Sequence, residues 1–164
     1  MEPLIQILKR LQDGGLEFVL VGGMAAIVHG SGLVTRDVDI AAVLDDEGIR
    51  KIVDALKGLN PRWSQRPDKL IPVDDPEKFK GFRNLYITTD WGTLDVLGEV
   101  AGVGTFDDVK KHSAEIDVGG LRCRVLNIET LIASKLAVGR EKDRLWVDHL
   151  RAIQRTRAAR GERQ

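Results

Sequence analysis

The stretch that dictates most about the fold is residues 19–44, VLVGGMAAIVHGSGLVTRDVDIAAVL. Residues 18–21 form an apolar run that predicts a buried strand. Gly22-Gly23 marks a turn, residues 24–29 a short apolar helix, and residues 37–44 a second strand after a Gly-Ser-Gly loop. Side chains alternate along a strand, so Asp37 and Asp39 point the same way while Val38 and Ile40 enter the core. Two carboxylates side by side repel when ionised, and the usual relief is a divalent cation. Every candidate ligand is a hard oxygen, which favours Mg2+ or Mn2+. Gly22-Gly23 has no Cβ to block close approach, and it opens a helix whose free N–H groups favour an anion. A cation site and a phosphate cradle are therefore expected within one supersecondary unit.

The 164 residues fit one domain, with a core over about residues 16–126 and C-terminal helices over about 127–157. A hydrophobic fraction of 43% with 30% charged residues is that of a soluble globular protein. No apolar run is long enough to span a membrane, and MEPLIQILKR lacks a signal-peptide pattern, so a cytoplasmic location is the expectation. The single cysteine, Cys123, lies in an alternating stretch and reads as a buried strand residue, which leaves a thiol mechanism without support. The net charge of zero hides an asymmetry: residues 140–164 hold eight Lys or Arg against four Asp or Glu. Such a tail is either a solvated terminal helix or a nucleic-acid contact, with Arg151, Arg155, Arg157, Arg160 and Arg163 expected to face water.

Along the chain, Leu4, Leu8 and Leu11 predict a first amphipathic helix ending at Asp13-Gly14-Gly15. His29 falls where the second helix meets glycine, a capping position before it is a catalytic one. Asp45-Asp46-Glu47 begins a helix whose apolar stripe is Ile49, Ile52, Val53 and Leu56. Residues 60–81 hold four of the five prolines and no sustained periodicity, and read as an irregular excursion with a short strand at 69–73. That excursion is equally a plain connector or a loop that holds a ligand beside the site. Residues 84–89 and 93–100 are strand-like around the turn Asp90-Trp91-Gly92, residues 114–126 form a hairpin about Gly119-Gly120, and helices follow at 128–138 and 141–157. Asp95 stands alone in an apolar strand and so needs a partner or a metal. Trp146, Leu150 and Ile153 form a core stripe on the last helix, while Trp63 and Trp91 lie in loop or turn settings.

At Val21-Gly22-Gly23, a thirteen-residue spacer and Asp37-Val38-Asp39-Ile40, the sequence resembles the nucleotidyltransferase superfamily that includes DNA polymerase beta. The context His29-Gly30 with Thr35-x-Asp37-x-Asp39 resembles bacterial proteins related to AbiEii toxins. Those relatives often carry Arg where this chain has Leu33, and Arg36 is the candidate substitute. The resemblance implies an α/β (α+β) fold with a small mixed sheet flanked by helices and a C-terminal helix pair. It also implies a third carboxylate at Asp95, chosen over Asp90 in its turn and Glu99 beyond the glycine. Lys135 matches the lysine that supports the triphosphate; on the alternative reading it only snorkels from a packed helix.

The implied chemistry is transfer of a nucleoside monophosphate from an NTP such as ATP. Asp37, Asp39 and Asp95 would hold two divalent ions about 3.5 to 4 Å apart, with Asp95 nearest the acceptor as a base. Gly22, Gly23, Arg36 and Lys135 would serve the nucleotide. The acceptor is left open between an RNA 3′ end, a protein hydroxyl in a toxin–antitoxin setting with an antitoxin partner, and a small molecule. The alternatives are a non-catalytic binding protein of the same fold, hinted at by Leu33, and an RNA-binding module using the basic tail. Intact carboxylates argue against the first, and the second leaves three aspartates without a purpose.

Overall fold

In the computed structural model, which describes residues 1–162, the chain begins with helix α1 (Glu2–Asp13), strand β1 (Val19–Val21), helix α2 (Gly22–Val28), strand β2 (Asp37–Ala41) and helix α3 (Asp46–Ala55). Strands β3 (Arg62–Trp63) and β4 (Arg66–Leu70), a 3-10 turn (Pro76–Phe79) and strands β5 (Asn84–Thr89), β6 (Gly92–Leu97), β7 (Glu99–Val100) and β8 (Gly104–Thr105) follow. Helix α4 (Phe106–Lys111), the hairpin β9 (Ser113–Val118) and β10 (Leu121–Leu126), and helices α5 (Ile128–Val138) and α6 (Glu141–Ala159) complete it. The apolar stripe of α1 is buried as its spacing requires, at Leu4, Leu8 and Leu11. Asp45 caps α3 by accepting from the Gly48 N–H at 2.8 Å, so the acidic triplet there is helix-start chemistry.

Eight strands form one mixed sheet in the order β4-β3-β5-β6-β2-β1-β10-β9, with β7 and β8 pairing separately. The β1–β10 and β2–β6 pairs are parallel and the other pairs of the large sheet are antiparallel. Val38, Ile40, Leu94 and Val96 are fully buried on one face, as the alternation predicts. On the opposite face α2, α5 and α6 pack on one another, and their ends converge on Asp39 and Asp95. Gly139, with φ of +69°, ends α5 and lets α6 start at once, which folds the two last helices into a pair. No helix among the described residues is long and apolar enough to cross a membrane.

The sheet is larger than the sequence suggests. Residues 60–81 are irregular outside two short strands and a 3-10 turn, yet β3 and β4 extend the sheet beyond β5, and the strand expected at 69–73 lies at Arg66–Leu70. The short strands carry no alternation because β4 is exposed throughout. Trp63 is in a strand rather than a loop, with its ring 5.5 Å from Phe79 and 5.4 Å from Phe82. Three aromatics spread over twenty residues thus cluster about the buried Phe79, a grouping that no periodicity announces.

Candidate active site

The site is built from the register of four strands. Val21 pairs with Asp39 across β1 and β2, Asp39 with Asp95 across β2 and β6, and Asp95 with Tyr86 across β6 and β5. Paired residues share a face, and neighbouring strands lie about 4.8 Å apart, so Asp39 and Asp95 stand side by side. Asp37 is two residues before Asp39 on the same face, exposed at the first position of β2. All three line one cavity of about 180 Å3, together with Gly22, Gly23, Thr35, Lys135, Arg140, Lys142, Asp143 and Trp146. Arg36 is exposed and is not among the lining residues. Asp90 is occupied elsewhere, accepting from Asn60 Nδ2 at 2.7 Å, and Glu99 is exposed on β7.

The two glycines are explained by what approaches them. Gly22 has φ of +65°, and a Cβ there would lie 2.6 Å from Asp39 Cγ. A Cβ on Gly23 would come within 3.1 Å of the Trp146 ring. The Gly22-Gly23 segment therefore admits the Asp39 carboxylate on one side and the Trp146 ring on the other.

Burial pushes the Asp39 carboxyl above its ordinary range, and repulsion from Asp37 adds to this, while Lys135 and the Gly23 backbone N–H oppose it. Asp95 is pushed up to about 7, first by burial and then by the charges of Asp39 and Asp37. Across the cavity stand the cations. Lys135 is 7% exposed, with Nζ 4.9 Å from the Trp146 ring centroid and 4.0 Å from Asp143 Oδ1. Arg140 grips Asp143 through Nε at 2.8 Å and Nη2 at 3.2 Å. The cavity thus has an acidic wall on β2 and β6 and a basic wall on α5 and α6.

That donor set fits a divalent cation chemically: the oxygens are hard and crowded, and burial with mutual repulsion pushes the Asp39 and Asp95 carboxyls toward protonation. Among the described residues no three His, Cys, Asp or Glu side chains converge on one ion position. Asp37 is the exposed member, so its carboxylate would turn toward the other two to complete a ligand set.

Trp146 packs against the core as the stripe with Leu150 and Ile153 predicts, and its ring also lies against Gly23 and Lys135 in the cavity wall, which sequence reasoning missed. That reasoning gave Asp143 no role, although this acid is 3% exposed at the heart of the basic wall. Lys135, Asp143 and Trp146 lie on two helices broken at Gly139, so no single helical period connects them. His29 does occupy the C-cap of α2, and its Nε2 donates to the Leu126 carbonyl at 2.7 Å. Burial lowers the pKa of this ring. A larger cleft of about 750 Å3 runs past His29, His149 and Arg157 on another side of α6 and contains none of the three carboxylates. In that cleft Arg157 departs from expectation: its Nη2 donates to the His29 carbonyl at 3.1 Å instead of facing water. Arg151, Arg155 and Arg160 are exposed, and Arg163 lies outside the described residues.

Solved structures share this architecture over nearly the whole chain. A proposed nucleotidyltransferase from Thermotoga maritima is 18% identical, with 88% of this chain and 90% of that one covered and a TM-score of 0.55. The chain has the nucleotidyltransferase fold. The lincosamide antibiotic adenylyltransferase LnuA, with lincomycin bound, shares the fold at 16% identity, 93% and 97% coverage and a TM-score of 0.63. The antibiotic-resistance factor ANT(2″)-Ia shares it at 14% identity, 96% and 92% coverage and a TM-score of 0.55. No family model and no curated protein sequence matches the chain. Within this nucleotidyltransferase fold the paired aspartates occupy the sheet face that α2, α5 and α6 enclose.

Proposed function

We propose that this protein is a metal-dependent nucleotidyltransferase, moving a nucleoside monophosphate from an NTP, with ATP as a candidate donor, to a hydroxyl acceptor. The observation that carries this reading is the cross-strand pair Asp39 and Asp95, joined by Asp37 and faced across one cavity by Lys135, Arg140 and Lys142. A site with one acidic and one basic wall matches a cation–triphosphate complex, whose two ends carry opposite charge.

Asp37, Asp39 and Asp95 would hold Mg2+ or Mn2+. The bound ions supply charge neutralisation at the triphosphate and lower the pKa of the attacking hydroxyl. Lys135 and Arg140 would orient the phosphates, and Gly22 and Gly23 leave their approach unobstructed. Asp95 would take the acceptor proton as the acceptor oxygen bonds to the α-phosphorus. The bond from that phosphorus to the bridging oxygen then breaks, and its electron pair leaves with pyrophosphate.

Tyr86 is paired with Asp95 and is 40% exposed, which supports an acceptor arriving over β5. The lincomycin bound by LnuA brings a small hydroxylated molecule into consideration, beside an RNA 3′ end and a protein hydroxyl. A toxin role with an antitoxin partner rests only on the sequence resemblance around residues 29–39 and at Lys135. Incubation with each α-32P-labelled NTP, Mg2+ and a cell extract tests the proposal and reads out the acceptor class. Label is expected in one class of RNA, protein or metabolite, and its absence from all three with every NTP would overturn the reading.

A further inference from the structure

Asp143 is a nearly inaccessible acid in a cavity that already has three carboxylates, and the proposed chemistry leaves it unused. Its Oδ2 accepts from Arg140 Nε at 2.8 Å and from the Arg140 backbone N–H at 3.3 Å. Its Oδ1 accepts from Arg140 Nη2 at 3.2 Å and lies 4.0 Å from Lys135 Nζ. Both oxygens are thus engaged by this chain, and a carboxylate aimed at a triphosphate would repel it. At 4.0 Å the approach to Lys135 is attraction without a hydrogen bond, so the ammonium keeps its three donors uncommitted to Asp143.

We infer that Asp143 is a positioning residue that holds Lys135 and Arg140 together at the triphosphate end of the cavity, setting nucleotide affinity without touching the nucleotide. The inference rests on the nucleotidyltransferase reading above. Its physical ground is that two cations confined to one wall repel each other and lose hydration, and each needs a fixed negative neighbour. Lys135 is buried between Trp146 and Asp143, and burial pushes its ammonium down from the ordinary lysine range. Asp143 and Asp39 oppose that loss, whereas Arg140 and Lys142 add to it. Once Asp39 is engaged by a cation its charge no longer serves Lys135, which leaves Asp143 to support the ammonium when the nucleotide arrives. The Arg140 fork fixes Asp143 in turn, because its two parallel hydrogen bonds define the carboxylate plane.

A structural role is the competing reading, since Asp143 also accepts the N–H that opens α6. Titration calorimetry with magnesium tripolyphosphate, which carries no base or sugar, separates the two. The wild type is compared with Lys135→Met, Asp143→Asn and the double variant Lys135→Met/Asp143→Leu, each checked for Mn2+ binding. Asp143→Asn is expected to weaken tripolyphosphate binding at least about tenfold while Mn2+ binding stays within about twofold, the size of effect expected for a charged hydrogen bond. The double variant is expected to bind less than about tenfold more weakly than Lys135→Met alone, because the part of the Asp143 effect that acts through Lys135 is already gone and only the part through Arg140 remains. Unchanged or tighter binding by Asp143→Asn overturns the inference, as does a further tenfold loss in the double variant. If Asp143→Asn does not fold, the double variant decides, since it removes the two buried charges together and leaves only Arg140, whose side chain reaches water, without its partner. A wild type that binds Mn2+ but not tripolyphosphate overturns the nucleotide site itself, and this inference with it.

Discussion

At Gly22 the backbone turns through a φ of +65° directly beneath the Asp39 carboxylate, so geometry and space both exclude a side chain. Gly22→Ala is expected to cost more than about 1 kcal/mol from the backbone conformation alone, measured by urea unfolding, and to displace Asp39 as well. The aspartates themselves carry stored repulsion. Asp95 titrates near 7 when folded, against about 4 for an unfolded aspartate, so the folded state binds the extra proton. Its contribution is favourable at low pH and is lost as pH rises from about 4 to about 7. Metal-free protein should therefore melt higher at pH 5.5 than at pH 7.5, by roughly 2–4 °C after allowance for partial exposure, and Asp95→Asn should reduce that difference, leaving the share that comes from the raised Asp39 carboxyl. Mn2+ binding at pH 6.5 should release protons, detected as a buffer-dependent calorimetric heat. Asp39→Asn and Asp37→Asn should hold or raise the metal-free melting temperature while abolishing transfer. The pairing of types was legible here because period two alone puts Asp37 and Asp39 on one face. That Gly22 makes room for Asp39 was not, since the approach joins residues seventeen apart on different elements.

The elements explain which parts of the site the sequence could announce. The unit β1-α2-β2 is local and strongly patterned, and its parts fall within a few residues of their expected bounds. Asp95 depends on β2 and β6 lying parallel, a pairing between distant segments, yet a lone carboxylate in an apolar strand still marked it. Mn2+ titration should show weakened binding in Asp95→Ala and wild-type binding in Asp90→Ala and Glu99→Ala. The basic wall was harder to read, because it depends on the reversal at Gly139 that folds α6 back along α5. Strand β3 went unread and β4 was read only as a short strand at 69–73 for a different reason: both are short, β4 is exposed and contains a proline, and Trp63 of β3 packs on Phe79 and Phe82. The last helix carries a tether as well as exposed charge. Arg157→Ala should lose about 1 kcal/mol of stability through the bond to the His29 carbonyl, whereas Arg155→Ala should lose almost none.

Over the whole molecule, the neutral total charge conceals an acidic body and a basic C-terminal stretch, and the cavity lies where the two meet. If RNA is the acceptor, replacing exposed Arg151, Arg155 and Arg160 by Gln should weaken RNA binding and flatten its log–log salt slope by about 0.7 for each phosphate no longer neutralised. Unchanged salt dependence would favour a small-molecule or protein acceptor. Everything proposed for the site turns on whether the Asp39–Asp95 row transfers a nucleoside monophosphate. The decisive experiment supplies the acceptor fraction and Mg2+ with the same NTP labelled at either the α- or the γ-phosphate, using wild type and Asp39→Asn. Acceptor labelling is expected from the α-labelled nucleotide alone, with γ-label released as pyrophosphate, and both should disappear on adding EDTA or replacing Asp39. Labelling of the acceptor from the γ-phosphate, or undiminished α-label transfer by Asp39→Asn, would refute nucleotidyl transfer at this row.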